Sequence, residues 1–225
     1  MGDVRFGLDF TISLRDGLTS SDISKVLQAV VYKPSAYLSA GDGLESATLT
    51  AVDDGGRSST QVINFCRIYD ANGRGTMGGP LSDVLIGSAE KDVMWGYSGH
   101  DKLFGKGGRD VLVGMSGRDS FVFDTKPKRS NVDAISDFSV RDDAIWLDNA
   151  IFRKLGKGSE VSPVRLKKDV FTIGPKAQDT NDYLVYNSKK GTLAYDADGS
   201  GRGAAIVFAT LSKSLKITNK DFFVI

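Results

Sequence analysis

Residues 78–122 read GGPLSDVLI, GSAEKDVMW, GYSGHDKLF, GKGGRDVLV and GMSGRDSFV, five nine-residue units in unbroken phase. Glycine stands first in every unit (Gly78, Gly87, Gly96, Gly105, Gly114). Aspartate stands sixth (Asp83, Asp92, Asp101, Asp110, Asp119), and a large apolar residue stands eighth (Leu85, Met94, Leu103, Leu112, Phe121). Self-similarity at a fixed period decides the architecture ahead of local propensity, because each unit buries its apolar face only by stacking on its neighbours.

The unit divides into two parts. Its first six residues carry turn chemistry, since glycine permits the positive φ of a tight reversal. Its last three form a short strand whose middle residue faces inward, because alternate side chains point to opposite faces. Two units then make one coil of a flattened parallel roll, with turns stacked along both edges. Stacked turns bring the sixth-position carboxylates together, and these repel unless a cation sits between them. Calcium suits the position, because it accepts six to eight oxygens in flexible geometry, whereas magnesium demands a tighter octahedron and dehydrates reluctantly.

The run resembles the calcium-binding nonapeptide repeats of the RTX (repeats-in-toxin) family. The resemblance implies that each ion lies between turns two units apart, pairing Asp83 with Asp101, Asp92 with Asp110, and Asp101 with Asp119. It also implies backbone ligands at the second and fourth positions. Glycine holds the fourth position at Gly99, Gly108 and Gly117, but Leu81 and Glu90 hold it in the first two units. The second position is glycine only at Gly79. The better sites are therefore expected in the last three turns. Lys91, His100, Arg109 and Arg118 fill fifth positions. Cations there weaken binding and are screened by salt, which places affinity in the modest range of extracellular modules, roughly 10⁻⁴–10⁻³ M.

Composition agrees with a turn-rich β protein. The 225 residues include 26 Gly, and 25 of the 28 acidic residues are Asp. Aspartate suits turns and glutamate suits helices. The net charge of +1 gives no strong pull toward nucleic acid or a membrane surface. It departs from the acidic balance usual in RTX proteins, so many Lys and Arg are expected outside the calcium turns. The single cysteine, Cys66, has no partner within the chain and reads as a small half-buried hydrophobe. No apolar run reaches transmembrane length, and the N-terminus shows no basic segment followed by an apolar stretch. Met1-Gly2 opens the chain, but Phe6 stands where a myristoylation motif wants Ser or Thr.

Residues 4–14 alternate strictly between apolar and polar, which predicts a strand with one buried face. Thr19, Ser20 and Ser21 cap a short helix carrying Ile23, Val26, Leu27 and Val30 on one side. Two strands follow, ATLTAV (47–52) and TQVINF (60–65), joined by DDGGRSS. Residues 4–65 resemble the later half of a bacterial cadherin-like β-sandwich repeat. A full sandwich needs about 100 residues, so this segment is expected to pack on its neighbour. Asp53 and Asp54 suit a solvated hairpin tip better than the interdomain calcium ligation the resemblance would allow. Gly73, Gly75 and Gly78 spell G-x-G-x-x-G, but no helix follows and the spacing carries no dinucleotide site.

After Val122 the sequence FDTKPKRSNVDAISDFSVRDDAIWLDNAIF resembles the segment that closes the roll in RTX proteins. Asp133 and Asp137 match the aspartates of its D-x-I-x-D-F motif, and Asp137 is the favoured ligand. Asp142 and Asp143 read as solvated turn residues before the strand AIWLD. DYLVYN, GTLAY and AAIVFATL read as further strands. The DADGSG turn between the last two copies positions 1, 3, 5 and 6 of an EF-hand loop, but the twelfth position is Val207. A bare turn and a calcium loop both fit it. ITNKDFFVI at the end resembles the uncleaved C-terminal signal of type I exported proteins and also reads as a final edge strand.

Catalysis is not expected. His100 is the only histidine, which excludes H-E-x-x-H and any Ser-His-Asp arrangement, and neither G-x-S-x-G nor a Walker-type loop is present. The expected fold is all-β: a partial sandwich at 1–66, a linker at 67–77, a parallel β-roll at 78–122 and a β-rich cap at 123–225. The expected ligands of calcium are Asp83, Asp92, Gly99, Asp101, Gly108, Asp110, Gly117, Asp119 and Asp137. The resemblance implies a secreted calcium-binding module whose folding is coupled to calcium, with structural or adhesive use. The alternative is the C-terminal secretion and folding portion of an exoenzyme of metalloprotease or lipase type. Partners are calcium ions, the type I secretion machinery, and a second copy or a cell-surface partner. The row Ile86, Trp95 and Phe104 at outward ninth positions calls for cover by a flanking segment or by another copy.

Overall fold

The computed structural model describes the backbone of residues 43–52, 58–67 and 75–225 and the side chains of 75–225. The expected strand at 4–14, the helix after Thr19, the Asp53–Asp54 tip and linker residues 68–74 lie outside the described residues. Within them, β1 (Gly43–Val52) and β2 (Ser58–Arg67) form an antiparallel hairpin in which Thr50 faces Thr60. These are the two strands expected there, each extended by a few residues.

The repeats follow as β3 (Gly75–Met77), β4 (Val84–Ile86), β5 (Val93–Trp95), β6 (Ser98–Gly99), β7 (Lys102–Phe104), β8 (Val111–Val113), β9 (Ser116–Gly117) and β10 (Ser120–Phe123). Every unit ends in a strand, as the apolar eighth residue requires. The rest of the chain adds β11 (Asp133–Ile135), β12 (Ala144–Leu147), β13 (Val164–Arg165), β14 (Phe171–Ile173), β15 (Leu184–Asn187), β16 (Thr192–Tyr195), β17 (Ile206–Thr210) and β18 (Phe222–Val224). The described residues contain no α-helix; two three-residue 3₁₀ turns are the only helical elements.

Successive units go to alternate sheets. One sheet runs β13-β18-β12-β10-β7-β4 and the other β14-β15-β16-β17-β11-β8-β5-β3. Leu85 aligns with Leu103 and Leu103 with Phe121 in parallel register on the first sheet, and Met94 aligns with Leu112 on the second. The shared register is one coil of two units. The eighth-position side chains of both sheets meet in a single core that also holds Ile135, Ile145 and Phe222.

Neither sheet stops at the repeats. β3 pairs with β5 before the first unit, so the roll starts inside the stretch expected to be a linker. Beyond Val122, β11 continues the second sheet with Ile135 opposite Leu112, and β12 continues the first with Ile145 opposite Phe121. The C-terminal β18 is an interior strand, parallel to β12 and antiparallel to β13, and not the edge strand the sequence suggested. Of the two kinds of cover expected, a flanking segment supplies it at Phe104. It is buried on the outer face of the first sheet in a cluster with Val122 and Ile225, flanked by Ile86 and Trp146. The chain's own last residue supplies cover there.

Candidate metal centre

The sixth-position aspartates form two ladders. The Asp83 N–H donates to Asp101 Oδ1 at 2.8 Å and the Asp101 N–H donates to Asp119 Oδ1 at 2.9 Å, along one edge of the roll. On the other edge the Asp92 N–H donates to Asp110 Oδ1 at 2.8 Å. Each aspartate is thus locked to the turn one coil away, and all five are buried. The next backbone position reinforces this, with the N–H of Lys102, Val111 and Ser120 donating to the carbonyls of Asp83, Asp92 and Asp101.

Both ladders run on past the repeats. The Asp110 N–H donates to Asp133 Oδ1 at 3.1 Å and the Asp119 N–H to Asp143 Oδ1 at 3.0 Å. These partners lie 23 and 24 residues downstream, where the repeats keep 18. Asp143 is therefore a buried member of the ladder and not a solvated turn residue; Ser139 N–H also donates to its Oδ2 at 2.8 Å. Only Asp142 keeps the expected surface role, paired with Arg141. Asp137 is exposed, and its carboxylate accepts from Gly114 N–H at 3.0 Å and Met115 N–H at 2.7 Å. Asp133, and not Asp137, aligns with the sixth-position aspartates.

Two kinds of turn follow from the sequence. In the first two units the carboxylate closes its own turn: Gly79 N–H donates to Asp83 Oδ2 at 2.5 Å, and Ser88 N–H to Asp92 Oδ2 at 2.6 Å. In the last three units the second residue is left-handed (Tyr97, Lys106 and Met115, φ 65–70). The fourth is glycine at φ 120 (Gly99), 122 (Gly108) and 145 (Gly117). Glycine is needed there, since a side chain would also strike the carbonyl of the turn below, that of Leu81, Glu90 or Gly99. On this course the carboxylate does not close its own turn. Asp101 Oδ2, Asp110 Oδ2 and Asp119 Oδ2 are buried with no hydrogen-bond partner.

Those oxygens face a cradle. A methyl group added to Gly96 would run into Asp101 Oδ2 and lie 2.7 Å from Gly114 O. The absent first-position side chain is what lets a carboxylate and a carbonyl from the next coil approach one space. Among the described residues no three His, Cys, Asp or Glu side chains converge. The donor set is consequently a carboxylate supplemented by backbone carbonyls, all hard oxygens, which fits calcium and gives nothing to a softer metal.

The electrostatics point the same way. Burial, reinforced by the carboxylates of Asp119 and Asp83, pushes the Asp101 carboxyl up to about 7. Burial and the neighbouring Asp133 and Asp92 push Asp110 to about 7 as well. Burial raises Asp119 and Asp133 to about 6, with Asp143 and Asp137 adding to the effect at Asp119. Removing charges from water without partners is costly, and a cation is the natural partner here. The fifth-position Lys91, His100, Arg109 and Arg118 do not fill that role, because all four are exposed.

The family model for the RTX calcium-binding nonapeptide repeat matches residues 77–112 and 104–122. Residues 77–122 are thus similar to RTX repeats, over about a fifth of the chain. Calcium is the ion this family of repeats binds. No curated protein matches the chain. The match is confined to the five units and the residue before them, whereas the aspartate ladder of these RTX repeats reaches Asp133 and Asp143. The sequence did carry a signal for that extension: D-A-I occurs at 133–135 and again at 143–145, with the aspartate–x–apolar order of every repeat.

Proposed function

We propose that this chain is a secreted calcium-binding module that completes its folding only where calcium is abundant, and that serves a structural or adhesive role. The observation that carries the reading is the row of buried, unpartnered oxygens on Asp101, Asp110 and Asp119. Asp83, Asp92, Asp101, Asp110 and Asp119 supply carboxylates to the ions, Asp133 and Asp143 close the two ladders, and carbonyls of the turns complete the ligand sets. Gly99, Gly108 and Gly117 shape the turns. Asp137 braces the last turn through Gly114 and Met115, and its charge acts on Asp119. Calcium, when bound, neutralises the carboxylates and ties each coil to the next.

The placement of β18 supports export before folding. Phe222 and Val224 are buried within the first sheet, so a secretion apparatus that reads FFVI must do so on the unfolded chain. An ion that binds the folded state alone then stabilises it by about 2.7 kcal/mol per site at a hundredfold excess over Kd. The test is refolding of the chain from urea in EDTA and in millimolar calcium. Native β signal recovered equally in both would remove the coupling.

A further inference from the structure

A second acidic site stands apart from the roll. The loop between β14 and β15 and the loop between β16 and β17 meet beside the eight-stranded sheet. The Asp196 N–H donates to Tyr183 O at 2.8 Å and the Ser200 N–H to Asp179 O at 2.7 Å. Gly199 has φ +60, and a methyl group there would lie 2.5 Å from Thr180 O and 2.8 Å from Asp179 O. The two loops are therefore in direct backbone contact.

Asp196 is 5 % exposed, and its Oδ1 is buried without any hydrogen-bond partner. Its neighbour is the Asp198 carboxylate, which accepts from Gly203 N–H at 2.9 Å and thereby curls residues 198–203 around itself. Among the described residues neither carboxylate has a Lys, Arg or His partner. Burial and the adjacent Asp198 hold the Asp196 carboxyl above the usual range. A buried carboxylate oxygen beside a second carboxylate, with no cationic side chain, leaves two outcomes: a shared proton or a bound cation. The DADGSG spacing presents oxygens at alternate positions of a tight loop, as loops that wrap hard cations do.

We propose that Asp196 and Asp198, closed over by residues 178–182, hold a calcium ion separate from those of the RTX repeats. The site stands on Asp196 and its loop and does not depend on the ladders. It ties the β16–β17 connection to the β14–β15 connection, at the opposite end of the second sheet from β3.

The experiment counts calcium ions on the full chain by native mass spectrometry, for the unaltered protein, Asp196→Asn, Asp198→Asn and Asp110→Asn. Asp196→Asn is expected to bind one ion fewer and to keep the circular dichroism of the calcium-loaded roll. Asp110→Asn is expected to lose roll calcium and to keep the ion at Asp196. If Asp196→Asn fails to fold, Asp198→Asn is judged by the same count. An unchanged count in the folded variant means that the two carboxylates share a proton and overturns the proposal. A loss of one ion with Asp196→Asn in a protein whose roll folds without calcium would sink the folding proposal and leave this one standing.

Discussion

The Asp83 N–H donates to Asp101 Oδ1 at 2.8 Å, while the other carboxylate oxygen of Asp101, Oδ2, is buried with no partner at all. One side chain position thus does two things: it joins the coils through Oδ1 and leaves Oδ2 for an ion. The same division recurs at Asp110 and Asp119, whereas at Asp83 and Asp92 Oδ2 closes the turn, and at Asp83 it is Oδ1 that is left buried without a partner.

Removing charge should therefore cost most in the later turns. Asn in place of Asp101 or Asp110 retains an Oδ1 acceptor for the ladder and weakens the ion site. With calcium at a hundredfold over Kd, loss of one site lowers stability by about 2.7 kcal/mol. Asp92→Asn, whose Oδ2 closes its own turn, should lose well under half of that. Urea denaturation of the three variants in saturating calcium measures the difference, and equal losses would contradict the distinction between turns.

Fourth-position glycine makes a separate prediction. Gly108 sits at φ +122 against the Glu90 carbonyl, so Gly108→Ala adds backbone strain of about 1–3 kcal/mol as well as a clash. Glu90→Gly, in a turn that already folds without glycine, should shift stability by about 1 kcal/mol or less. Thermal melts in calcium compare the two directly.

How much of this was legible in the sequence follows from what repeats and what does not. Gly78 to Val122 announced a parallel roll because the glycine, aspartate and apolar positions recur in phase, and the strands fall where that phase puts them. The poorer fit of Leu81 and Glu90 to the pattern set the first two units apart from the last three, and their turns do differ. Asp133 and Asp143 were harder to read. Their ladder bonds span 23 and 24 residues, so insertions break the period while the three-dimensional register survives. Asp137, favoured by motif, braces a turn from the surface through Gly114 and Met115. β18 read as an edge strand because its pairing with β12 spans 77 residues of chain from Ile145 to Phe222, a contact that no local pattern reveals.

Acidity should substitute in part for calcium. The carboxyls of Asp101 and Asp110 titrate at about 7 in the folded chain, against an ordinary value of 3.8. A raised folded value means that the folded state carries more protons between about pH 4 and 7. Stability without calcium therefore falls as pH rises through that window and is lowest above pH 7. Asp198, held below the usual range, opposes this only at the acid end. The expected result is a higher melting temperature in EDTA at pH 5 than at pH 7.5, and a larger gain from calcium at pH 7.5. The reverse order would refute the charge-burial argument.

The closing strand should matter to the whole sheet. Phe222 is fully buried beside Ile145 and stacks near Phe171 at 5.3 Å. Phe222→Ala should cost about 3–5 kcal/mol, read by urea denaturation in calcium, whereas Lys220→Ala on the exposed side should change little.

The most direct measurement is far-ultraviolet circular dichroism of the chain with EDTA and then with excess calcium, followed by a thermal melt in each. The unpartnered oxygens of Asp101, Asp110 and Asp119 predict a large gain of β signal and a clear rise in Tm on adding calcium. An identical spectrum and an identical Tm would contradict the claim that calcium completes this fold.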